Sequence, residues 1–199
     1  MKNYDKRRDE LFSRFVPVIC LLSACFLLGA VLGSFFAAEL PQDAAQYVEV
    51  YAERVSDGSG TALFKAAFWP AFVMLALVFF AGFGRLGGLV IPAVFIVRGF
   101  SMSLGITAFV RTYGLPGYLP AIAAELLSGF VITGCLFVFS LMTFSTCTGA
   151  GRRVGAYRRT YDTGYYMAAA VCLAIIMLAA LLYAYLVPPL ARAAFLIIS

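Results

Sequence analysis

The sequence contains no histidine among its 199 residues. Histidine is the commonest metal ligand and the commonest general base near neutral pH, so its absence argues against a zinc site and a Ser-His-Asp triad. Cysteine does not replace it, because the five cysteines lie in apolar or membrane-boundary stretches and include no CxxC pair: Cys20, Cys25, Cys135, Cys147 and Cys172. We therefore expect no catalytic residues, no metal, no cofactor and no enzyme activity.

Charged residues are also scarce. They make up 13% of the chain, whereas 63% of the residues are hydrophobic, and the mean hydropathy is +0.93. A soluble domain of this length cannot bury so much apolar surface, but a lipid bilayer covers it. The sequence therefore predicts an integral membrane protein, with membrane lipid as its first partner.

Five long apolar runs divide the chain, and each is long enough for the roughly 20 residues that a membrane helix needs. Backbone amides in lipid must bond within their own segment, and barrel strands would alternate polar and apolar residues, so we expect helices. The fold class predicted is an all-α, polytopic bundle that forms one membrane domain over residues 1–199. The predicted spans are 15–38, 64–83, 86–110, 119–146 and 163–187, the last closed by Pro188 and Pro189.

The basic residues predict the orientation of the bundle. One side of the membrane is predicted to hold few of them: Arg54, Arg111, Arg192 and, at a boundary, Lys65. Lysine and arginine accumulate on the cytoplasmic side of membrane proteins, so the amino terminus is predicted inside and the carboxyl terminus outside. The ten residues on the predicted inner side are Lys2, Lys6, Arg7, Arg8, Arg14, Arg85, Arg152, Arg153, Arg158 and Arg159. They flank helices, which favours anionic lipid headgroups over nucleic acid as their partner.

The predicted outside loop, residues 39–63, is the one sizeable aqueous segment. Asp43 followed by Gln46 forms a capping-box pattern that predicts a short helix. Apolar side chains then recur at helical spacing, which makes the helix amphipathic. This helix either lies on the lipid surface or docks an extracytoplasmic partner through Tyr47, Val48, Tyr51 and Val55. The other connection, residues 147–162, is predicted to be a flexible, arginine-rich cytoplasmic joint.

Glycines recur within the spans at spacings that let helix backbones approach closely. We expect them to pack helices within one chain, and a self-association face that yields a homo-oligomer is the alternative. The residues concerned are Gly29, Gly33, Gly84, Gly88, Gly99 and Gly105.

Arg98 and Glu125 are the two charges deep inside predicted spans. A charge at the bilayer centre costs about 3 kcal/mol on insertion scales, so such residues usually pair or face the bundle interior. We predict that the two side chains interact. The alternatives are that Arg98 snorkels along a crevice while Glu125 caps or pairs locally, that the two serve a proton or ion path, or that Arg98 splits the third span into a re-entrant pair.

Several motifs occur in an order typical of one family. Residues 82–92 read GFGRLGGLVIP, residues 94–100 read VFIVRGF, and residues 113–118 read YGLPGY. A helix then opens on Pro120 and carries Glu-Leu five residues later, at Glu125. Together with the glycine pattern in residues 27–33, this arrangement resembles the stage II sporulation protein M family over most of the chain. It departs from the family at residues 120–122, where relatives often have Pro-His-Gly or Pro-Gln-Asn.

The resemblance implies a non-enzymatic scaffold. Family members have no known catalytic activity, and in endospore formers they act in the mother-cell membrane. There they hold two peptidoglycan-degrading proteins, stage II sporulation proteins D and P, during engulfment. The alternative function is a small permease subunit that works with a cytoplasmic ATPase, with Arg98 and Glu125 as interior polar groups.

Overall fold

The computed structural model describes residues 2–39, 60–83, 87–113, 129–150 and 163–198. These ranges hold five helices and no strand: α1 Lys2–Glu39, α2 Gly60–Gly82, α3 Gly87–Tyr113, α4 Val131–Ala150 and α5 Thr163–Ile198. Four of them, α1, α2, α3 and α5, are long and apolar enough to cross a membrane. The predicted all-α membrane bundle is confirmed, and the chain has the build of a multi-pass membrane protein. Within the described part, α4 contributes a shorter apolar stretch, Val131–Phe144.

Helices α1 and α3 run in the same direction. Gly29 of α1 lies against Ile96 of α3, and one turn later Gly33 lies against Phe100. Because the residue numbers increase in the same direction along both helices, the pair is parallel. We call the end of the bundle at which α1, α3 and α5 begin the lower end, and the opposite end the upper end.

Helix α4 runs opposite to α3. The rings of Phe95 and Phe137 meet with their centroids 5.6 Å apart, and further along α3 the Met102 sulfur lies 3.6 Å from Thr133 Oγ1. Residue numbers therefore decrease along α4 in the direction in which they increase along α3, so the two helices are antiparallel.

Helix α5 runs opposite to both α4 and α2. Tyr165, at its start, contacts Phe139 near the end of α4 and Phe79 near the end of α2. Tyr183, near the upper end, packs with Leu63 at the start of α2. The five helices therefore alternate in direction, and the first and last helices point the same way. This is the geometry that an odd number of crossings requires.

The packing places α1 at the edge of the bundle. It contacts α3 extensively and α4 slightly, whereas α4 contacts all four other helices. The main core lies among α2, α3, α4 and α5, with Leu22 entering from α1. Many large apolar side chains on the outside remain exposed, Phe35 and Tyr185 among them. This is what helices in contact with lipid require.

Prolines do not interrupt these helices. Pro17, Pro70 and Pro92 lie inside α1, α2 and α3. The apolar membrane-spanning stretch of α5, Thr163–Leu186, agrees with the predicted span 163–187, but the helix itself continues through Pro188 and Pro189 to Ile198. Membrane helices accommodate proline because neighbouring groups satisfy the freed carbonyls and the helical φ suits the ring.

Two further boundaries differ from the sequence prediction. The re-entrant alternative for the third span is wrong, because α3 is one continuous helix through Arg98. Helix α4 continues to Ala150, four residues into the predicted joint that starts at residue 147. Helices α1 and α5 are about 57 and 54 Å long at 1.5 Å per residue, so both exceed a hydrocarbon core of about 30 Å.

Candidate functional site

Arg98 lies near the middle of α3, half-buried between α3 and α4. Its Nε donates a hydrogen bond to Thr133 Oγ1 at 3.2 Å. A second donor, on its terminal nitrogen Nη2, lies 3.4 Å from the carbonyl oxygen of Gly129. The charge is therefore held by polar groups of the neighbouring helix, as an arginine at membrane depth requires.

The backbone immediately before α4 departs from a regular α-helix. Residues 129 and 130 form a π-helical turn, and such turns widen the helix and disturb its regular hydrogen bonding. The Gly129 carbonyl also accepts a hydrogen bond from Thr133 Oγ1 at 2.6 Å. The Thr133 hydroxyl thus accepts a hydrogen bond from Arg98 and donates one to the Gly129 carbonyl, four residues earlier. It links the guanidinium to the π-helical turn.

The predicted partner of Arg98 lies outside the described residues. Glu125 precedes Gly129 by four positions, and the interaction of Arg98 with Glu125 stays a prediction. Sequence reasoning missed Thr133. The available signal was its spacing, because Thr133 stands one turn after Gly129 in an otherwise apolar run.

Three of the predicted packing glycines form a close contact between α1 and α3, which we call the glycine seam: Gly29, Gly33 and Gly99. A Cβ on Gly29 would fall within 3 Å of the Ile96 backbone, and one on Gly33 would meet the Phe100 carbonyl. A Cβ on Gly99 would meet the Phe26 carbonyl in the same way. Main chain packs directly on main chain here, which only glycine allows.

The remaining predicted glycines are placed differently. Gly88 has open space around its Cα, and Gly105 lies half-buried on α3. Gly84 lies outside the described residues.

Polar contacts continue the seam towards the upper end of the bundle. The hydroxyls of Ser34 and Ser103 are 2.6 Å apart. Beyond them, Arg111 of α3 donates to the carbonyl of Ala37 in the last turn of α1. A cation at a helix carboxyl end satisfies a carbonyl that has no partner within the helix and complements the helix dipole.

A cluster of aromatic side chains stabilises the lower end. Tyr165 is buried, and its hydroxyl donates to the carbonyl of Phe79 at 3.1 Å. Gly82 makes room for this tyrosine, since a Cβ there would crowd the phenol oxygen and the methyl of Thr143. Nothing in the local sequence marks this cluster, because its members come from three separate helices.

The residues predicted to dock a partner, Tyr47, Val48, Tyr51 and Val55, lie outside the described ranges. Within those ranges, no group of three or more metal-binding side chains comes together. Comparison with known proteins gives no match: no family model, no curated protein and no solved structure is significantly similar to this chain.

Proposed function

We propose that this protein is a non-enzymatic scaffold of the cell membrane that anchors peptidoglycan-degrading partners at the upper end of its bundle. One observation carries the proposal: the described interior is closely packed and mostly apolar. The buried side chains of the described residues are apolar apart from the hydroxyls of Ser140, Thr143, Tyr165 and Tyr183, and the glycine seam brings two backbones into contact. Such an interior suits a rigid platform better than a solute path.

The connectivity at the upper end supports a docking role there. Helix α1 ends at Glu39 and α2 begins at Gly60, so residues 40–59 join the two helices at this end. Helices α1 and α2 make little contact with each other, so this segment connects separate parts of the bundle.

The charge distribution supports an extracytoplasmic upper end. The ten basic residues counted above all flank the lower end, and five acidic residues lie within 39–57. The positive-inside rule then directs the lower end to the cytoplasm. The partners proposed are membrane-anchored wall hydrolases similar to sporulation proteins D and P, and the mother-cell membrane is the proposed site in an organism that sporulates.

The test replaces Tyr47, Val48, Tyr51 and Val55 by serine in the full chain. We expect co-purification of the hydrolases to fall at least tenfold while the thermal stability of the bundle stays unchanged. The matched control replaces Glu49 and Glu53, from the same segment, and is expected to retain the partner. Undiminished co-purification of the fourfold variant would contradict docking through these residues.

Arg98 favours a second candidate, the permease-type subunit. A charge held in mid-membrane is expensive, and such residues often mark transport paths. This function requires a cytoplasmic ATPase that co-purifies with the chain and a solute that stabilises it. Replacing Arg98 by methionine should then abolish solute-dependent stabilisation, whereas a scaffold would show no solute effect in either form.

A further inference from the structure

The outer face of α2 carries a groove near the upper end of the bundle. It has a volume of about 600 Å³ and is lined by Lys65, Ala66, Phe68, Trp69 and Pro70, which we call the Lys65 groove. Its size falls within the usual range for small-molecule sites. Trp69, the one tryptophan of the chain, is 65% exposed there, and Lys65 is exposed beside it.

The residues that line this groove carry three polar groups. Lys65 supplies an ammonium group, and Trp69 supplies an indole N–H that can only donate. The third group results from Pro70. Because proline has no N–H, the carbonyl of Ala66 lacks the donor that a regular helix would give it. The groove therefore combines a positive charge, a neutral donor and a backbone acceptor.

The wall of the groove is apolar and ordered by stacking. Phe68 stacks on Phe64 and on Phe72, with ring centroids 5.4 and 5.6 Å apart. Trp69 contacts Phe72 from the adjacent position, at 6.1 Å. The apolar side chains of Phe68 and Trp69 therefore offer a hydrocarbon chain an ordered surface within the groove.

The position along α2 identifies the occupant. Lys65 stands five positions from the start of the helix at Gly60, and Trp69 lies one turn deeper. Lysine and tryptophan are the residues that anchor helix ends at the membrane surface. We propose that the Lys65 groove binds one anionic glycerophospholipid with a hydroxyl-bearing headgroup, of the phosphatidylglycerol type.

In this arrangement each part of the lipid meets a matching group. The phosphate accepts from Lys65 and from the indole of Trp69, a headgroup hydroxyl donates to the Ala66 carbonyl, and an acyl chain lies on the aromatic wall. A soluble phosphate would use the charge but leave the apolar wall uncovered. The site is independent of the scaffold proposal, because it requires only that α2 crosses a membrane.

The test measures lipid retained by the full-length protein in detergent, by native mass spectrometry. We expect the wild type to retain phosphatidylglycerol at least fivefold better than phosphatidylcholine. Inorganic phosphate at about 10 mM should not displace the bound lipid. Lys65→Gln should remove this preference and Lys65→Arg should keep it. Trp69→Leu should weaken retention, whereas the control Phe80→Leu, an exposed aromatic at the other end of α2, should not.

Pro70→Ala tests the carbonyl. This substitution restores the backbone N–H that bonds the Ala66 carbonyl in a regular helix. The variant should therefore retain phosphatidylglycerol no better than it retains phosphatidylmethanol, which carries the charge but no headgroup hydroxyl. The proposal is overturned if Lys65→Gln retains phosphatidylglycerol like the wild type, if both lipid classes bind equally, or if Phe80→Leu is as damaging as Trp69→Leu. Lys65 and Trp69 are exposed, so a loss of binding with an unchanged melting temperature reports on the groove rather than on folding.

Discussion

Arg98 and Thr133 are joined by a hydrogen bond of 3.2 Å from the guanidinium Nε to the threonine Oγ1. The bond crosses from α3 to α4 in a region where the surrounding side chains are mostly apolar. Together with the Gly129 carbonyl, it gives a membrane-embedded charge polar neighbours that lipid cannot supply.

Replacing Thr133 by valine removes the acceptor while preserving the side-chain shape. Interhelical hydrogen bonds in membrane proteins contribute about 0.6 kcal/mol on average and about 1.7 at most, so we expect a loss of about 1 kcal/mol in the free energy of unfolding. Equilibrium unfolding in mixed micelles measures it. Ser101→Ala is the control, because the hydrogen bond of Ser101 among the described residues stays within its own turn, to the Arg98 carbonyl, and its loss should cost less.

Exchanging the charges of Arg98 and Glu125 tests their predicted interaction. Each single reversal should lower the amount of folded protein, because it leaves two like charges at membrane depth. The double reversal should recover a substantial part of that loss. Folded yield after detergent extraction is the measurement, and a double variant no better than either single variant would exclude the pair.

Replacing Gly29 by alanine should separate α1 from α3. The added methyl would meet the Ile96 backbone, which cannot rotate away as a side chain can. Overpacking typically costs about 1–3 kcal/mol, which corresponds to a fall in melting temperature of roughly 2–12 °C for a chain of this size. Gly88→Ala and Gly134→Ala are matched controls, since both positions open onto free space. Equal destabilisation by a control would contradict the seam.

Cys135 and Cys172 should be joined by a short bifunctional thiol reagent. Each sulfur lies within hydrogen-bonding reach of the other residue's carbonyl, at 3.7 and 3.8 Å, so the two residues face each other across α4 and α5. Trypsin cleaves after arginine, and Arg152 and Arg153 lie between these helices. After cross-linking and cleavage the two fragments should stay together on a denaturing gel. Cys172→Ser should abolish the link, and separation of the wild-type fragments would refute the register of α4 against α5.

The alternating directions of the helices predict that the two chain termini lie on opposite sides of the membrane. Tags at both ends of the full chain can be labelled with an impermeant reagent in intact cells. We expect the carboxyl-terminal tag to react and the amino-terminal tag to react only after the cells are opened. Equal labelling of both tags in intact cells would show an even number of crossings.

The sequence was sufficient to predict the helices and part of the seam, because both depend on local properties. Long apolar runs specify membrane helices, and the spacing of Gly29 and Gly33 marks a face on which a backbone can approach. The contact between Arg98 and Thr133 could not be predicted in this way. It depends on how two helices are rotated about their axes, and α3 and α4 are so uniformly apolar that periodicity does not define a buried face.

The sequence did not indicate that the helix continues past Pro188 and Pro189, and the reason is different. The rule that proline ends a helix comes from helices whose freed carbonyls can turn to water. In lipid an interrupted backbone is expensive, so the helix continues wherever the φ angle allows. The same reasoning applies to Pro17, Pro70 and Pro92, which the described helices also contain.

The chief packing partner of α1 is α3 and not the adjacent α2. During synthesis the first helix therefore enters the bilayer before its partner exists, and its glycine face stays against lipid tails until the third helix has been inserted. A nascent chain released after α2 would carry an unmatched groove along its first helix.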